Sequence, residues 1–167
     1  VAFRYQNVYG PGQSLTNPYT GIISIFSSLI KNNKAINIFE DGKESRDFIY
    51  IDDVVKATIL GIEKKEADFQ IFNVGTGKST SVLSVANELK KIYNCAVDIQ
   101  ISGNYRIGDI RHNFADMAKI QQELSFSPEY TFKAGINRFA NWANNQSVSA
   151  DKYTESIKEM KEKGLYK

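Results

Sequence analysis

Two short apolar runs joined by a polar segment constrain the fold of this chain more than any other feature. The first run, 35–39, alternates apolar with polar side chains, and the second, 48–51, is aromatic and aliphatic. A glycine turn lies between them, and this pattern predicts a β-hairpin. Arg46 stands where the turn enters the second strand, and a guanidinium fixed there suits a phosphate or a carboxylate. The alternative is a solvent-exposed ion pair of Arg46 with Asp47 or Glu44.

Length and composition exclude several classes of protein. The 167 residues are enough for one domain with its own core, and the formal net charge of +2 is too small to indicate a nucleic-acid or membrane surface. A single cysteine excludes an internal disulfide, and one cysteine with one histidine leaves little for a zinc site; we expect no metal site. Because no signal peptide or long apolar run is present, we expect a cytoplasmic protein.

The rest of the chain alternates predicted strands with predicted helices, which indicates an α/β fold. Asn17 and Pro18 are typical of a helix start, because Asn caps free amides and Pro suits the first helical position. Further strands are predicted at 2–9, 69–74 and 97–101, and further helices begin after a cap at Asp52 or Asp53, after a cap at 79–81, at Ala115, at Thr131 and at Asp151.

The segment 75–80, Gly-Thr-Gly-Lys-Ser-Thr, imitates a phosphate-binding P-loop between a strand and a helix. The P-loop pattern requires a glycine at position 72, and Phe72 stands there. The acidic strand that would hold magnesium also comes first in the chain rather than after the loop. A P-loop nucleotide hydrolase therefore stays a weak alternative.

Several motifs together resemble the NAD-dependent epimerase/dehydratase family, the extended short-chain dehydrogenases that act on nucleotide sugars. The first is R-x-x-N-x-Y-G-P at 4–11, and the second is D-G-x-x-x-R-D followed by the aromatic and aliphatic run at 41–53. The third is R-x-G-D at 106–109, followed by the A-D-x-x-K helix at 115–128. The resemblance extends from Arg4 to about Asn144 and implies an α/β fold: the C-terminal substrate-binding domain of such an enzyme, with remnants of its Rossmann sheet.

The resemblance implies roles for five polar residues. Arg46, Arg106 and Asn7 would hold the diphosphate of a nucleoside-diphosphate sugar, and Asp109 would accept a hydrogen bond from a ribose hydroxyl. Two arginines from distant segments also match what a diphosphate requires. Gln6, the residue before Asn7, would lie near the nicotinamide.

Asn37 and Phe39 are two residues apart on a predicted strand and share a face. A flat ring and an amide suit a pyrimidine base, although spacing alone favours a buried Phe39 and a solvated Asn37. The resemblance reverses that preference, because it places the base against these positions. His112 is not expected to act as a general base.

Two parts of the family pattern are missing from this sequence. It contains neither the Gly-rich G-x-x-G-x-x-G turn that receives NAD nor the catalytic Y-x-x-x-K pair. We therefore expect no catalytic residue in this chain, and NAD bound by the intact enzyme but not by this chain alone. The predicted organisation is a nucleotide-sugar-binding C-terminal portion at 1–146, whose strands 3–9 and 69–74 belong to the Rossmann sheet of the intact enzyme, and a C-terminal helical tail at 147–167.

These inferences predict the nucleotide-sugar-binding part of an NAD-dependent epimerase or dehydratase. Residues 13–26 look most similar to enzymes of surface-polysaccharide sugar synthesis, including 4-epimerases. The expected partners are a nucleoside-diphosphate sugar and a missing N-terminal Rossmann half, and the uncovered strands predict self-association. The alternative is a stand-alone binding or interaction module without catalysis.

Overall fold

The computed structural model describes residues 1–17, 21–147 and 153–166. These residues form a mixed α/β fold in which small sheets lie among helices, as the sequence predicts. The strands are β1 Ala2–Tyr5, β2 Asn7–Tyr9, β3 Ile36–Ile38, β4 Ser45–Arg46, β5 Phe48–Tyr50, β6 Ile71–Val74, β7 Thr80–Ser81 and β8 Ile99–Ile101. The helices are α1 Ile22–Lys31, α2 Ile51–Glu63, α3 Val82–Tyr93, α4 Ala118–Leu124, α5 Phe132–Asn144 and α6 Tyr153–Glu162, with a 3₁₀ turn at Lys65–Ala67.

The predicted hairpin between 35–39 and 48–51 is wrong. β3 pairs in parallel with β8, and β5 pairs in parallel with β2. β4 lies between them in the chain and pairs antiparallel with β7. The physical reason is burial on both faces: β3 and β5 carry almost no exposed apolar surface, and strands of that kind belong to covered parallel pairs rather than to a half-exposed hairpin.

The predicted strand at 2–9 is divided at Gln6. β1 pairs in parallel with β6, whereas β2 pairs with β5. The Gln6 amide still donates to the Val74 carbonyl at 2.9 Å, and the next amide, of Asn7, donates to the Asp47 carbonyl at 2.9 Å. The chain therefore changes its neighbour within one residue and passes from one sheet to the next.

β5 separates two hydrophobic cores. Phe48 and Tyr50 face a core formed with α1, α3 and α5, and Ile49 faces a second core with β6, α2 and α4. All three side chains are almost fully buried. Because burial of one large apolar side chain contributes about 1.5–3 kcal/mol, this strand fixes the second apolar run firmly between the cores.

The predicted helix starts have mixed outcomes. The predicted cap within 79–81 is Ser81, and the helix predicted from Thr131 is α5, which Thr131 caps; each cap accepts from the amide three residues later at 3.2 Å. The predicted cap at Asp52 or Asp53 is wrong, because α2 starts at Ile51 after an uncapped Tyr50. The Asp53 carboxylate instead accepts from the amides of Glu129 and Tyr130, which precede α5.

Other boundaries differ by a few residues. The helix predicted from Ala115 begins at Ala118, and the Asp116 carboxylate accepts from the Ala118 amide at 2.9 Å. The predicted helix start at Pro18 and the first residues of the predicted helix at 151–163 lie outside the described ranges. Within those ranges, no helix combines the length and apolar character needed to cross a membrane.

Candidate functional site

A cleft of about 210 Å³ is lined by residues of the first turn of α1, of β3 and β4, and of the loop after β8. Its lining includes all six residues predicted to bind substrate, drawn from four separate parts of the sequence: Asn7, Asn37, Phe39, Arg46, Arg106 and Asp109.

Arg46 is held in place by three acceptors. Its Nη1 donates to the carbonyls of Ser45 at 2.9 Å and Arg111 at 3.1 Å. Its Nη2 donates to Asp109 Oδ1 at 2.7 Å, and the side chains of Arg46 and Asp109 are 15% and 44% exposed. The alternative pairing of Arg46 with Asp47 or Glu44 is therefore wrong, because the partner is another residue of the cleft.

Asp109 is oriented as well as paired. Its Oδ1 also accepts from the Ile110 amide at 2.9 Å, within the loop that follows β8. This arrangement leaves the second carboxylate oxygen available to a hydroxyl donor, and it places the Arg46 guanidinium where a phosphate oxygen could share its donors.

Arg106 brings a second guanidinium to the cleft. Its Nε is buried and has no hydrogen-bond partner among the described residues. A buried donor without an acceptor costs about 1–3 kcal/mol, so an anionic oxygen at this position would relieve that cost. The arrangement of Arg46 and Arg106 suits a ligand that carries more than one negative charge.

Arg111 lies at the edge of this site and is already neutralised. Its guanidinium forms ion pairs with Glu40 and Asp41, and the pairing lowers the pKa of the Asp41 carboxyl and raises that of Arg111. The carboxylates of Glu40, Asp41 and Glu44 come within 4.8 Å of one another, but Arg111 occupies two of them.

Glu44 is a cleft residue that the sequence did not reveal as one. Its carboxyl is almost fully buried, its Oε2 has no partner among the described residues, and it lines the cleft. Burial is the largest cause that raises the pKa of the Glu44 carboxyl, and the negative charges of the nearby Glu40 and Asp41 raise it further. The sequence signal was hidden because a Glu in a polar turn is ordinarily solvated.

Asp47 has a different role from its neighbour Arg46, because its side chain is fully buried and binds backbone amides. Its carboxylate accepts from the Thr76 amide at 2.9 Å, the Gly77 amide at 2.9 Å and the Ala115 amide at 3.2 Å. The Thr76 hydroxyl donates to it at 2.5 Å. The amides that a P-loop would direct at a phosphate are therefore bound to a carboxylate of the same chain, which argues against the P-loop alternative.

The structure does not bring Gln6 to the cleft. Gln6 Oε1 accepts from Asn113 Nδ2 at 3.0 Å, outside the cleft lining. His112 is exposed, and its Nδ1 shares a hydrogen bond of 2.9 Å with the Ser45 hydroxyl, which also accepts from Ser79 Oγ at 2.6 Å. His112 therefore belongs to a hydrogen-bond network with the hydroxyls of Ser45 and Ser79.

Comparison with known proteins finds a family and several relatives that are similar to this chain. Residues 1–75 match the family described as NAD dependent epimerase/dehydratase. A dTDP-L-rhamnose 4-epimerase of Burkholderia thailandensis is 40% identical over 139 residues, which cover 83% of this chain and 38% of the relative.

Two solved structures share the fold. A UDP-N-acetylglucosamine 4-epimerase of Methanobrevibacter ruminantium M1, in complex with UDP-N-acetylmuramic acid, is 34% identical with a TM-score of 0.79 over 87% of this chain and 46% of that one. A UDP-glucuronic acid 4-epimerase of Bacillus cereus, with UDP-glucuronic acid and NAD, is 27% identical with a TM-score of 0.75 over 85% and 44%. This chain spans less than half the length of these relatives.

Proposed function

We propose that this chain, which belongs to the NAD-dependent epimerase/dehydratase family, is the nucleotide-sugar-binding part of a nucleoside-diphosphate-hexose 4-epimerase. The observation that carries the proposal is the cleft itself, where six residues from four segments meet around two guanidinium groups. The three relatives described above are 4-epimerases that act on nucleotide sugars according to their names, which supports the same ligand class here.

The diphosphate would lie between Arg46 and Arg106. Arg46 is already oriented by backbone carbonyls, so little side-chain freedom is lost when it binds, and Arg106 gains a partner for its buried Nε. A charge-assisted hydrogen bond contributes about 1.5–3 kcal/mol, so each arginine can contribute substantially to the binding of the diphosphate. Asn7 would donate its amide to the same group.

The nucleoside would occupy the side of the cleft formed by Asn37, Phe39 and Asp109. Phe39 offers a ring for the base, Asn37 an amide for its edge, and Asp109 the oxygen that Arg46 leaves available for a ribose hydroxyl. Together these groups bind and orient the nucleotide, so that the sugar extends from the diphosphate end of the cleft.

NAD does not fit the residues present. The Gly-rich turn and the Tyr/Lys pair are not in this sequence, and Gln6, the residue predicted near the nicotinamide, is engaged with Asn113. We therefore place hydride transfer and proton abstraction on another part of the protein. The cytoplasmic location and a role in surface-polysaccharide synthesis remain proposals of the same kind.

Calorimetry with the 167-residue chain tests the proposal. We expect UDP-glucose, dTDP-glucose or both to bind and NAD to give no heat of binding. Binding of NAD without a nucleotide sugar would contradict the proposed division of the site. The rival, a stand-alone binding module, shares the ligand, and the encoding reading frame separates the two: an upstream in-frame G-x-x-G-x-x-G and Y-x-x-x-K would establish the enzyme.

A further inference from the structure

The turn after α6 reaches the base side of the cleft. The rings of Tyr166 and Phe39 meet edge to face, with centroids 5.3 Å apart and planes at 77°. Tyr166 also forms an antiparallel bridge with Arg106, and the Ile107 amide donates to the Leu165 carbonyl at 3.0 Å. One short segment therefore touches two cleft residues that are far apart in the sequence.

The position of Tyr166 is itself fixed by α6. Lys161 Nζ lies 5.2 Å from the centroid of the Tyr166 ring, a distance at which a cation attracts an aromatic face. The Leu165 amide donates to the Met160 carbonyl at 2.9 Å, and the Met160 side chain is buried. The Tyr166 ring thus contacts both a cation of α6 and the ring of Phe39.

We propose that Tyr166 is a positioning residue for the base side of the cleft, an inference that rests on the proposed function. Tyr166 does not line the cleft, so it acts through Phe39. A ring held edge to face keeps one orientation before the ligand arrives, and that pre-organisation removes an ordering cost from binding. The C-terminal helical tail that the sequence predicts at 147–167 therefore contributes to ligand recognition.

The proposal makes a distinction between two parts of the ligand. Phe39 would contact the base, whereas the arginines would contact the diphosphate. Because Tyr166 meets the Arg106 segment through backbone atoms, replacing its side chain leaves that bridge available. Loss of the Tyr166 ring should therefore weaken the binding of a nucleoside diphosphate and leave the binding of inorganic pyrophosphate nearly unchanged.

The test compares UDP with inorganic pyrophosphate by calorimetry on the 167-residue chain. We expect Tyr166→Ala to weaken UDP binding by roughly two- to tenfold, the range of an aromatic pair, and to change pyrophosphate binding by less than about twofold. Tyr166→Phe keeps the ring and should restore parental UDP binding. Ile62→Ala, at an exposed α2 side chain that is not part of the cleft lining, is the control.

Hydrogen exchange of the Ile107 amide shows whether the segment after α6 still packs in each variant. Parental UDP binding by Tyr166→Ala would overturn the inference alone, and so would an equal loss of UDP and pyrophosphate. If the parent chain binds neither UDP nor dTDP, the proposed function and this inference both fail, so the two failures are distinguishable.

Discussion

Replacing Asp47 is the most demanding test of the structure, because its carboxylate joins three separate segments of the chain. Asp47→Ala removes an acceptor that serves the amides of Thr76, Gly77 and Ala115 and the Thr76 hydroxyl. Each buried donor left without a partner costs about 1–3 kcal/mol, so the three amides set a range of about 3–9 kcal/mol.

The expected value lies near the lower limit of that range. The Ala115 amide is buried, whereas the amides of Thr76 and Gly77 are near the surface, where water can replace the lost acceptor. We therefore expect Asp47→Ala to lower the free energy of unfolding by about 3 kcal/mol, and Asp47→Asn, which keeps one oxygen acceptor, by about 2 kcal/mol. For a domain whose total stability is about 5–15 kcal/mol, the first loss is large.

Urea unfolding followed by circular dichroism measures both losses. Asp98→Ala provides the matched control, because Asp98 is exposed and such substitutions change stability by less than about 0.5 kcal/mol. A change below about 1 kcal/mol for Asp47→Ala would refute the reasoning, since it would mean that the three amides are not held by this carboxylate.

Three further predictions follow from other contacts. A Cβ at Gly75 would lie 2.4 Å from Asp47 Oδ2, so Gly75→Ala should lower the unfolding free energy by about 1–3 kcal/mol in the same urea assay, and a neutral result would contradict the packing. Burial raises the pKa of the Tyr9 hydroxyl, so the folded protein keeps a proton that the unfolded chain releases above about pH 10. The free energy of unfolding should therefore fall as pH rises beyond that point, and it should fall less steeply in Tyr9→Phe. Tyr5 and Ile71, on the β1–β6 pair, are 44% and 48% exposed, and light scattering over a concentration series should show self-association, whereas a monomer at every concentration would contradict it.

Local signals in the sequence predicted the elements well. A cap within 79–81 and a helix start at Thr131 were predicted correctly, because a cap and the amide it binds are only three residues apart, within the reach of a sequence pattern. The alternation of strands with helices likewise gave the α/β class. Both depend on contacts between near neighbours in the chain.

Strand pairing was beyond that reach. The hairpin was predicted because 35–39 and 48–51 are adjacent in sequence, yet each pairs with a strand from a distant segment. A helix cap was predicted at Asp52 or Asp53 from the local sequence, whereas the Asp53 carboxylate accepts from the Glu129 and Tyr130 amides instead. Both the strand pairing and the role of Asp53 are determined by contacts between residues that are distant in the sequence.

The candidate site shows the same division. Resemblance to a family suggested Arg46, Arg106 and Asp109, and the structure brings them to one cleft. No sequence pattern indicated that Glu44 is buried or that Asp47 binds the loop at 76–77. The partners of a carboxylate can be identified only once the fold has placed distant backbone amides around it.

The central claim is that Arg46 and Arg106 bind the diphosphate of a nucleotide sugar, and calorimetry of their alanine variants tests it most directly. Each substitution removes charge-assisted hydrogen bonds of about 1.5–3 kcal/mol, so the dissociation constant for UDP-glucose or dTDP-glucose, whichever the parent binds, should rise roughly ten- to a hundredfold. Arg4→Ala removes the same charge from an exposed position on β1 and should leave that constant nearly unchanged. Parental affinity in both Arg46→Ala and Arg106→Ala would contradict the assignment of the cleft.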